Sequence, residues 1–105
     1  MIRGATTLIL LLLTAQAGPE TVDVRDRGTV SLATFECRDI NRSSIIQRVC
    51  HDSAQRSMIV SINGVYHQYC GLQASIFDGL MGAPSMGQFF NRRIRASADG
   101  YQCPK

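Results

Sequence analysis

The 105-residue chain contains 45% hydrophobic and 18% charged residues, and it carries a formal net charge of +3. A chain of this length can form one small domain with a modest core. The charge is too mild to indicate polyanion binding by itself, and the sequence contains neither internal repeats nor low-complexity tracts.

Residues 1–17 have the pattern of a secretory leader. Arg3 supplies a positive charge, an unbroken apolar run follows at 8–13, and Ala15-Gln16-Ala17 has the small-x-small form of a cleavage site. The apolar run is far shorter than the ~20 residues that a membrane span needs, so a membrane anchor is the weaker alternative. We predict a signal peptide, no stable membrane insertion after its cleavage, and a periplasmic or extracellular protein.

Residues 18–34 are mostly polar, and we predict that they form an extended tether before a folded domain at 35–105. Small apolar residues recur in this segment at Val22, Val24, Val30 and Leu32. The alternative is therefore that the pieces 21–24 and 29–32 add a ragged edge strand to the domain.

The next segment has the pattern of a three-stranded antiparallel β-meander, with strands at 45–52, 58–62 and 65–70. These runs are rich in β-branched residues, which fit a pleated surface. Asn63-Gly64 between the last two runs is typical of a two-residue type I′ turn, which needs positive φ at both central positions. A turn of this kind fixes the register of the hairpin.

Side chains alternate between the two faces of a strand. The face predicted to form the core carries Val49, His51, Met58, Val60, Ile62, Val65, His67 and Tyr69. The opposite face carries Arg48, Cys50, Ser61, Tyr66, Gln68 and Cys70. If this second face is open, it is the expected docking surface for a ligand.

Two amphipathic helices are predicted after the strands. The first covers about 72–81 and ends at Gly82-Ala83-Pro84, and the second covers about 86–96. Ser85 and Gln88 form a capping box at its start, in which each side chain satisfies an exposed backbone N–H. Two helices can cover one face of a small sheet, so the predicted fold class is α+β.

Three motifs in this stretch resemble the KTSC domain family, which is named for a segment at the C-terminus of some lysyl-tRNA synthetases. The motifs are Ser44-x-Ile46-x-x-Val49-x-His51-Asp52, Gly64-x-x-His67-x-Tyr69, and Ala83-Pro84-Ser85-x-Gly87-x-Phe89-Phe90-Asn91-x-x-Ile94. The chain departs from the family pattern at His51, at His67, which stands for the first tyrosine of a Tyr-x-Tyr, and at Gln73, where a proline is usual. The resemblance implies a fold, and RNA binding is a suggestion that rests on the synthetase context.

The cysteines at 37, 50, 70 and 103 are even in number in a short chain with an export leader, which predicts a disulfide framework. In the meander, Cys50 and Cys70 lie about two strand spacings apart, ~9–10 Å. A disulfide joins Cα atoms about 4.4–6.8 Å apart, so this pair is disfavoured. Cys37 therefore pairs with Cys50 or with Cys70, and Cys103 takes the other. A zinc site is the alternative, but the sequence contains no C-x-x-C pair.

Catalytic and metal sites are not predicted. His51 and His67 lie on the outer strands of the meander and cannot easily bind one ion together, so we expect packed imidazoles. Ser85 is explained by helix capping, because A-P-S-M-G is not the strained elbow of a hydrolase. We therefore expect neither an enzyme nor a cofactor.

The basic cluster Arg92, Arg93 and Arg95 is a candidate binding surface, together with Tyr66, Gln68 and Tyr69. Such a surface could hold a phosphate backbone and stack a base, although cations near a helix C-terminus are also favoured by the macrodipole. The primary hypothesis is an exported, non-catalytic module that binds a protein, a peptide or an envelope component. The alternative is an RNA-binding module, against which export counts.

Overall fold

A six-stranded sheet with a helical pair on one face makes up the fold of residues 18–97 and 100–104, which this computed structural model describes. The elements are β1 Thr21–Val24, β2 Gly28–Ser31, β3 Glu36–Asp39, β4 Ile46–Asp52, β5 Ser57–Ile62, β6 Val65–Tyr69, α1 Ala74–Gly82, α2 Met86–Phe89 and a π-helical segment Phe90–Arg95. The strand order is β2-β1-β6-β5-β4-β3. The predicted signal peptide at 1–17 lies outside the described residues.

The central meander β4–β5–β6 is antiparallel, and its predicted register is confirmed. Ile62 lies opposite Val65 across the hairpin, and Cys50 lies opposite Ile59. The turn residues Asn63 and Gly64 have φ values of 49° and 84°, as a type I′ turn requires. A bulge near the start of β4 brings Ile46 and Val49 to the same core.

The three predicted strands are only the centre of a six-stranded sheet, and the prediction of an extended N-terminal tether is wrong. Residues 21–31 form the hairpin β1–β2, which joins the edge of β6, while β3 pairs with β4 at the opposite edge of the sheet. Strand β1 runs parallel to β6 and meets it at Val24 and Tyr66. The alternative of an added edge strand was therefore the better interpretation of this segment.

Two apolar clusters explain why the sheet has these extra strands. The larger cluster packs the helices against β4–β6 and includes Met58, Val60, Leu80, Phe90 and Ile94. The second lies on the other face and contains Val22, Val24, Leu32, Cys50 and Ile59, with Tyr66 packed against it. The condition for a docking surface on this face, that it is open, is therefore not met: the N-terminal strands cover it, because their valines need a buried partner surface.

The two disulfides join Cys37 to Cys50 and Cys70 to Cys103. The first links the neighbouring strands β3 and β4, and the second fastens the C-terminal segment to the end of β6. The expectation that Cys50 and Cys70 do not pair is confirmed, and the observed pairing is one of the two that the sequence left open. No helix in the described part of the chain is long and apolar enough to span a membrane.

The helical pair lies where the sequence predicts it, with α1 starting two residues later than expected. Arg42 closes the end of α1 by donating hydrogen bonds from its guanidinium to the carbonyls of Met81 and Ala83, at 2.7 and 2.8 Å. The Ser85 hydroxyl accepts a hydrogen bond from the Gln88 N–H at 3.3 Å and caps α2. Among the described residues, the reciprocal bond from the Gln88 side chain is not formed.

Replacing Ser85 by alanine is expected to lower the free energy of unfolding by about 1 kcal/mol, because the first turn of α2 loses its acceptor. The matched control is Ser85→Asp, which keeps a side-chain oxygen at the cap and is expected to stay within about 0.5 kcal/mol of the parent protein. Urea unfolding of the three proteins checks this. Equal stability of the alanine and aspartate variants would contradict the capping role.

Candidate functional site

A cleft of about 300 Å³ lies beside β6, at the point where β1 diverges from it. Residues 25–27 of the β1–β2 turn form one wall, residues 67–69 of β6 form the floor, and residues 102–103 of the C-terminal segment form the other wall. The Cys70–Cys103 disulfide fixes the second wall. The cleft therefore joins three segments that are distant in the sequence.

Pairing along the outer edge of β6 is interrupted at one residue. The Arg25 N–H donates to the Tyr66 carbonyl at 2.9 Å, and the Cys70 N–H donates to the Tyr101 carbonyl at 2.6 Å. Backbone groups of alternate residues point to the same edge of a strand, so the N–H and C=O of Gln68 point to this edge as well. Neither group has a hydrogen-bond partner among the described residues. Within the described part of the chain, the floor of the cleft thus offers one backbone donor and one backbone acceptor without a partner.

Positive charge surrounds this floor. Arg25 and Arg27 lie in the β1–β2 turn, and Asp26 between them adds one negative charge to the same wall. The pKa of His67 is lowered chiefly by burial and further by the charges of Arg25 and Arg95, whereas Asp26 acts in the opposite direction. A lowered pKa leaves His67 neutral at pH 7, so the positive field of the cleft comes from the arginines.

Arg95 lies outside the lining of the cleft, and two contacts within its own helical segment hold its side chain. Its guanidinium carbon lies 5.7 Å from the centre of the Phe90 ring, and Nη1 donates to Asn91 Oδ1 at 3.1 Å. Tyr69 packs edge-on against the same ring at 5.5 Å. Burial raises the pKa of Tyr69, and the Arg95 charge opposes this shift. Phe90 therefore contacts both Tyr69, which lines the cleft, and Arg95, whose charge acts on His67 of the cleft.

The structure brings together only part of the predicted binding set. Gln68 and Tyr69 line the cleft, and the charge of Arg95 acts on it from outside the lining. Arg93 instead lies over the Phe89 ring at 5.5 Å, and Arg92 is exposed on the same segment. Neither of these two lines the cleft.

Tyr66 has a structural role on the opposite face. Its hydroxyl accepts a hydrogen bond from Arg48 at 3.4 Å, and Arg48 also forms an ion pair with Glu20. These contacts raise the pKa of Arg48 and lower that of Glu20. The network ties the N-terminal segment to β4, so Tyr66 contributes to packing and not to the cleft.

Sequence reasoning missed Arg25 and Arg27, the residues of the cationic wall. A signal for them existed, because R-D-R-G stands between two valine-containing runs and a three-residue loop followed by glycine is a common hairpin. Asp26 and Gly28 do take positive φ values, 65° and 87°. The pattern predicts the hairpin, but it does not indicate that the turn lies beside β6.

His51 lies at a separate, smaller pocket of about 110 Å³ on the helix side. Its ring stacks on Phe77 with centroids 3.8 Å apart, and burial lowers its pKa. The neighbouring carboxylate of Asp52 accepts a hydrogen bond from Thr34 at 2.7 Å and one from the Gln55 N–H at 3.1 Å. Stacking holds the His51 ring and hydrogen bonds hold the Asp52 carboxylate, and no group of three potential metal ligands occurs in the part of the chain that is described.

The geometry defines a small α+β domain that is stapled by two disulfides and has a cationic cleft at one sheet edge. The KTSC domain model matches residues 42–97, more than half of the chain, so this chain belongs to the KTSC domain family. The crystal structure of a KTSC domain protein from Yersinia pestis is similar, with a TM-score of 0.56 and 23% sequence identity over 60% of this chain and 89% of that chain. At this identity the likeness shows the fold alone. The search of curated proteins gives no match.

The matched range separates the cleft into two parts. Strand β6 and Arg95 lie inside residues 42–97, whereas the turn at 25–27 and the C-terminal wall lie outside them. The cationic wall and the disulfide-fastened wall are therefore additions to the segment that defines the family.

Proposed function

We propose that the protein is a small exported, non-catalytic binding module that holds an anionic ligand in the cleft beside β6. The observation that carries this proposal is a pair of arginines beside an unpaired stretch of strand edge. Guanidinium groups bind carboxylates and phosphates through several N–H donors in a fixed plane, and a free backbone N–H adds another donor.

Export is supported by the leader pattern at 1–17 and by two disulfides that use all four cysteines. Disulfides form and persist in oxidising compartments, which is compatible with the periplasm or the extracellular space. A stapled cleft also keeps its shape in a small domain whose core alone gives modest stability. These features favour a durable binding protein.

RNA binding is the competing function, and it would use Arg92, Arg93 and Arg95 as one surface. In the structure, Arg93 is held over Phe89 and Arg95 over Phe90, so the two guanidinium groups are anchored on different rings. A cleft of about 300 Å³ suits a small group better than a polymer backbone. The geometry therefore favours an anionic group of limited size.

The test is an NMR titration of the oxidised protein with sodium acetate and inorganic phosphate, at constant ionic strength. We expect amide shifts concentrated at 25–28 and 66–70, and a Kd at least about tenfold weaker in Arg25→Gln/Arg27→Gln, because each charged hydrogen bond is worth about 1.5–3 kcal/mol. Arg92→Gln/Arg93→Gln is the matched control and should bind normally. Shifts that are absent, or that follow the control pair instead, would overturn the proposal.

A further inference from the structure

The gap in the edge of β6 is one residue wide, and its two ends are closed. On one side the Tyr66 carbonyl is occupied by Arg25, and on the other the Cys70 N–H is occupied by Tyr101. A continuous strand cannot pass along this edge, because β1 and the C-terminal segment already occupy the neighbouring positions. The gap can therefore pair with only one residue of a ligand, as the end of a chain would offer.

A simple anion can pair with only one of the two Gln68 backbone groups at the floor of the cleft. The Gln68 N–H can donate to an anion, but the Gln68 C=O beside it would then face negative charge. A ligand fits better if it carries an N–H donor close to its anionic group. The last residue of a peptide has this arrangement, because its own amide N–H lies next to its terminal carboxylate. Added strands use the same pairing of one residue's N–H and C=O.

The walls supply the charge that a carboxylate needs. Arg27 is committed in part to the C-terminal wall, because its Nη1 donates to the Pro104 carbonyl at 3.1 Å. The Arg25 side chain forms no hydrogen bond with the other described residues, although Arg25 lines the cleft. Arg25 is thus the side chain available to a carboxylate, whereas Arg27 positions the C-terminal segment that forms the opposite wall of the cleft.

We infer that the cleft recognises the free C-terminus of a peptide, with the terminal carboxylate on Arg25 and the Gln68 N–H, and the last amide N–H on the Gln68 C=O. This inference rests on the proposed function and names the ligand class of the same site. The recognition is largely through backbone and charge, so it tolerates different side chains at the end of the peptide.

The test compares three probes on the oxidised protein: N-acetyl-trialanine with a free carboxylate, the same peptide amidated at its C-terminus, and a depsipeptide in which an ester oxygen replaces the last N–H. The free acid is expected to bind best, with a shift of the Gln68 amide proton. The amide and the depsipeptide are each expected to bind at least tenfold more weakly, because one loses the charge and the other loses the donor.

Variants of the protein test the same contacts from the other side. Arg25→Gln is expected to raise the Kd of the free-acid peptide at least tenfold. Arg92 is exposed and lies outside the cleft, so Arg92→Gln should leave that Kd unchanged. Gln68→Pro removes the N–H, which points away from β5, and should abolish binding. If the proline variant does not fold, the Kd of Arg25→Gln for the free acid and the Kd of the parent protein for the depsipeptide still test the inference.

The outcomes separate this inference from the function on which it rests. If the acid and the amidated peptide bind equally, or if acetate binds as tightly as the peptide, recognition of a peptide terminus is overturned while anion binding stands. If no anion shifts residues 66–70, both fail. Tighter binding of an oligoribonucleotide that is lost in Arg92→Gln/Arg93→Gln would also overturn the inference and favour the nucleic-acid alternative.

Discussion

Replacing both Cys70 and Cys103 by alanine is expected to lower the free energy of unfolding by about 4 kcal/mol and to abolish ligand binding in the cleft. The bridge joins residues 33 positions apart in the sequence. A loop of about that length restricts the unfolded chain by roughly 3–4.7 kcal/mol in the chain-entropy treatment. Small domains are stable by only about 5–15 kcal/mol, so this one bridge is a large share of the total.

Loss of binding follows from the position of the bridge. Cys103 belongs to the wall of the cleft, and the remaining described contacts of that wall include the Cys70–Tyr101 backbone bond and the Arg27–Pro104 bond. Without the covalent link these two hydrogen bonds must order the C-terminal segment alone, at a net gain of about 1 kcal/mol each. Ordering several residues costs more than this, so the wall is expected to detach.

The matched control removes the other disulfide by Cys37→Ala/Cys50→Ala. Its sequence separation is 13, which predicts a smaller entropic loss of about 3 kcal/mol, to which the buried Cys50 side chain adds a packing loss. This bridge lies between β3 and β4, away from the cleft, so the folded fraction should still bind. Urea unfolding and an NMR titration of both variants check the prediction. Equal binding losses in both would contradict the role of the Cys70–Cys103 wall.

The central meander could be predicted because its signals are local. Asn63-Gly64 determines the turn, the turn determines the register, and strict alternation then assigns each side chain to a face. The helices are predicted for the same reason, since Ser85 caps one of them within four residues of sequence. Each of these features depends on residues that are close together in the chain.

The N-terminal strands could not be predicted with the same success, because what stabilises them is distant. Val22 and Val24 are two residues apart, as in a strand, but their burial depends on Cys50 and Ile59. The parallel contact between Val24 and Tyr66 has no local signal at all. Since the cleft lies where these distant segments meet, the sequence predicts its β6 residues and misses its arginine wall.

The π-helical segment changes which side chains are neighbours. On an α-helix, Arg92 and Arg95 would share a face. In the structure the Ala96 N–H bonds to the Asn91 carbonyl five residues back, and the widened turn brings Arg95 to Asn91 and Phe90. Of the three arginines of this segment, only Arg95 acts on the cleft, through its charge at His67.

Phe90→Ala is expected to lower the free energy of unfolding by about 4 kcal/mol, because truncating a fully buried phenylalanine removes apolar contacts and leaves a cavity. It should also weaken binding of the anionic probes, since Tyr69 and Arg95 both pack on this ring. Urea unfolding gives the first quantity, and titration under conditions where the variant is folded gives the second.

The control that separates the two effects is Leu80→Ala, which truncates another fully buried residue of the same core on α1. Its expected loss of stability is about 3 kcal/mol, but the positions of Tyr69 and Arg95 should be kept. If Leu80→Ala weakens ligand binding as much as Phe90→Ala does, the ring of Phe90 has no special role at the cleft. If only Phe90→Ala weakens binding, the helical core orients the cationic side of the site as well as stabilising the sheet.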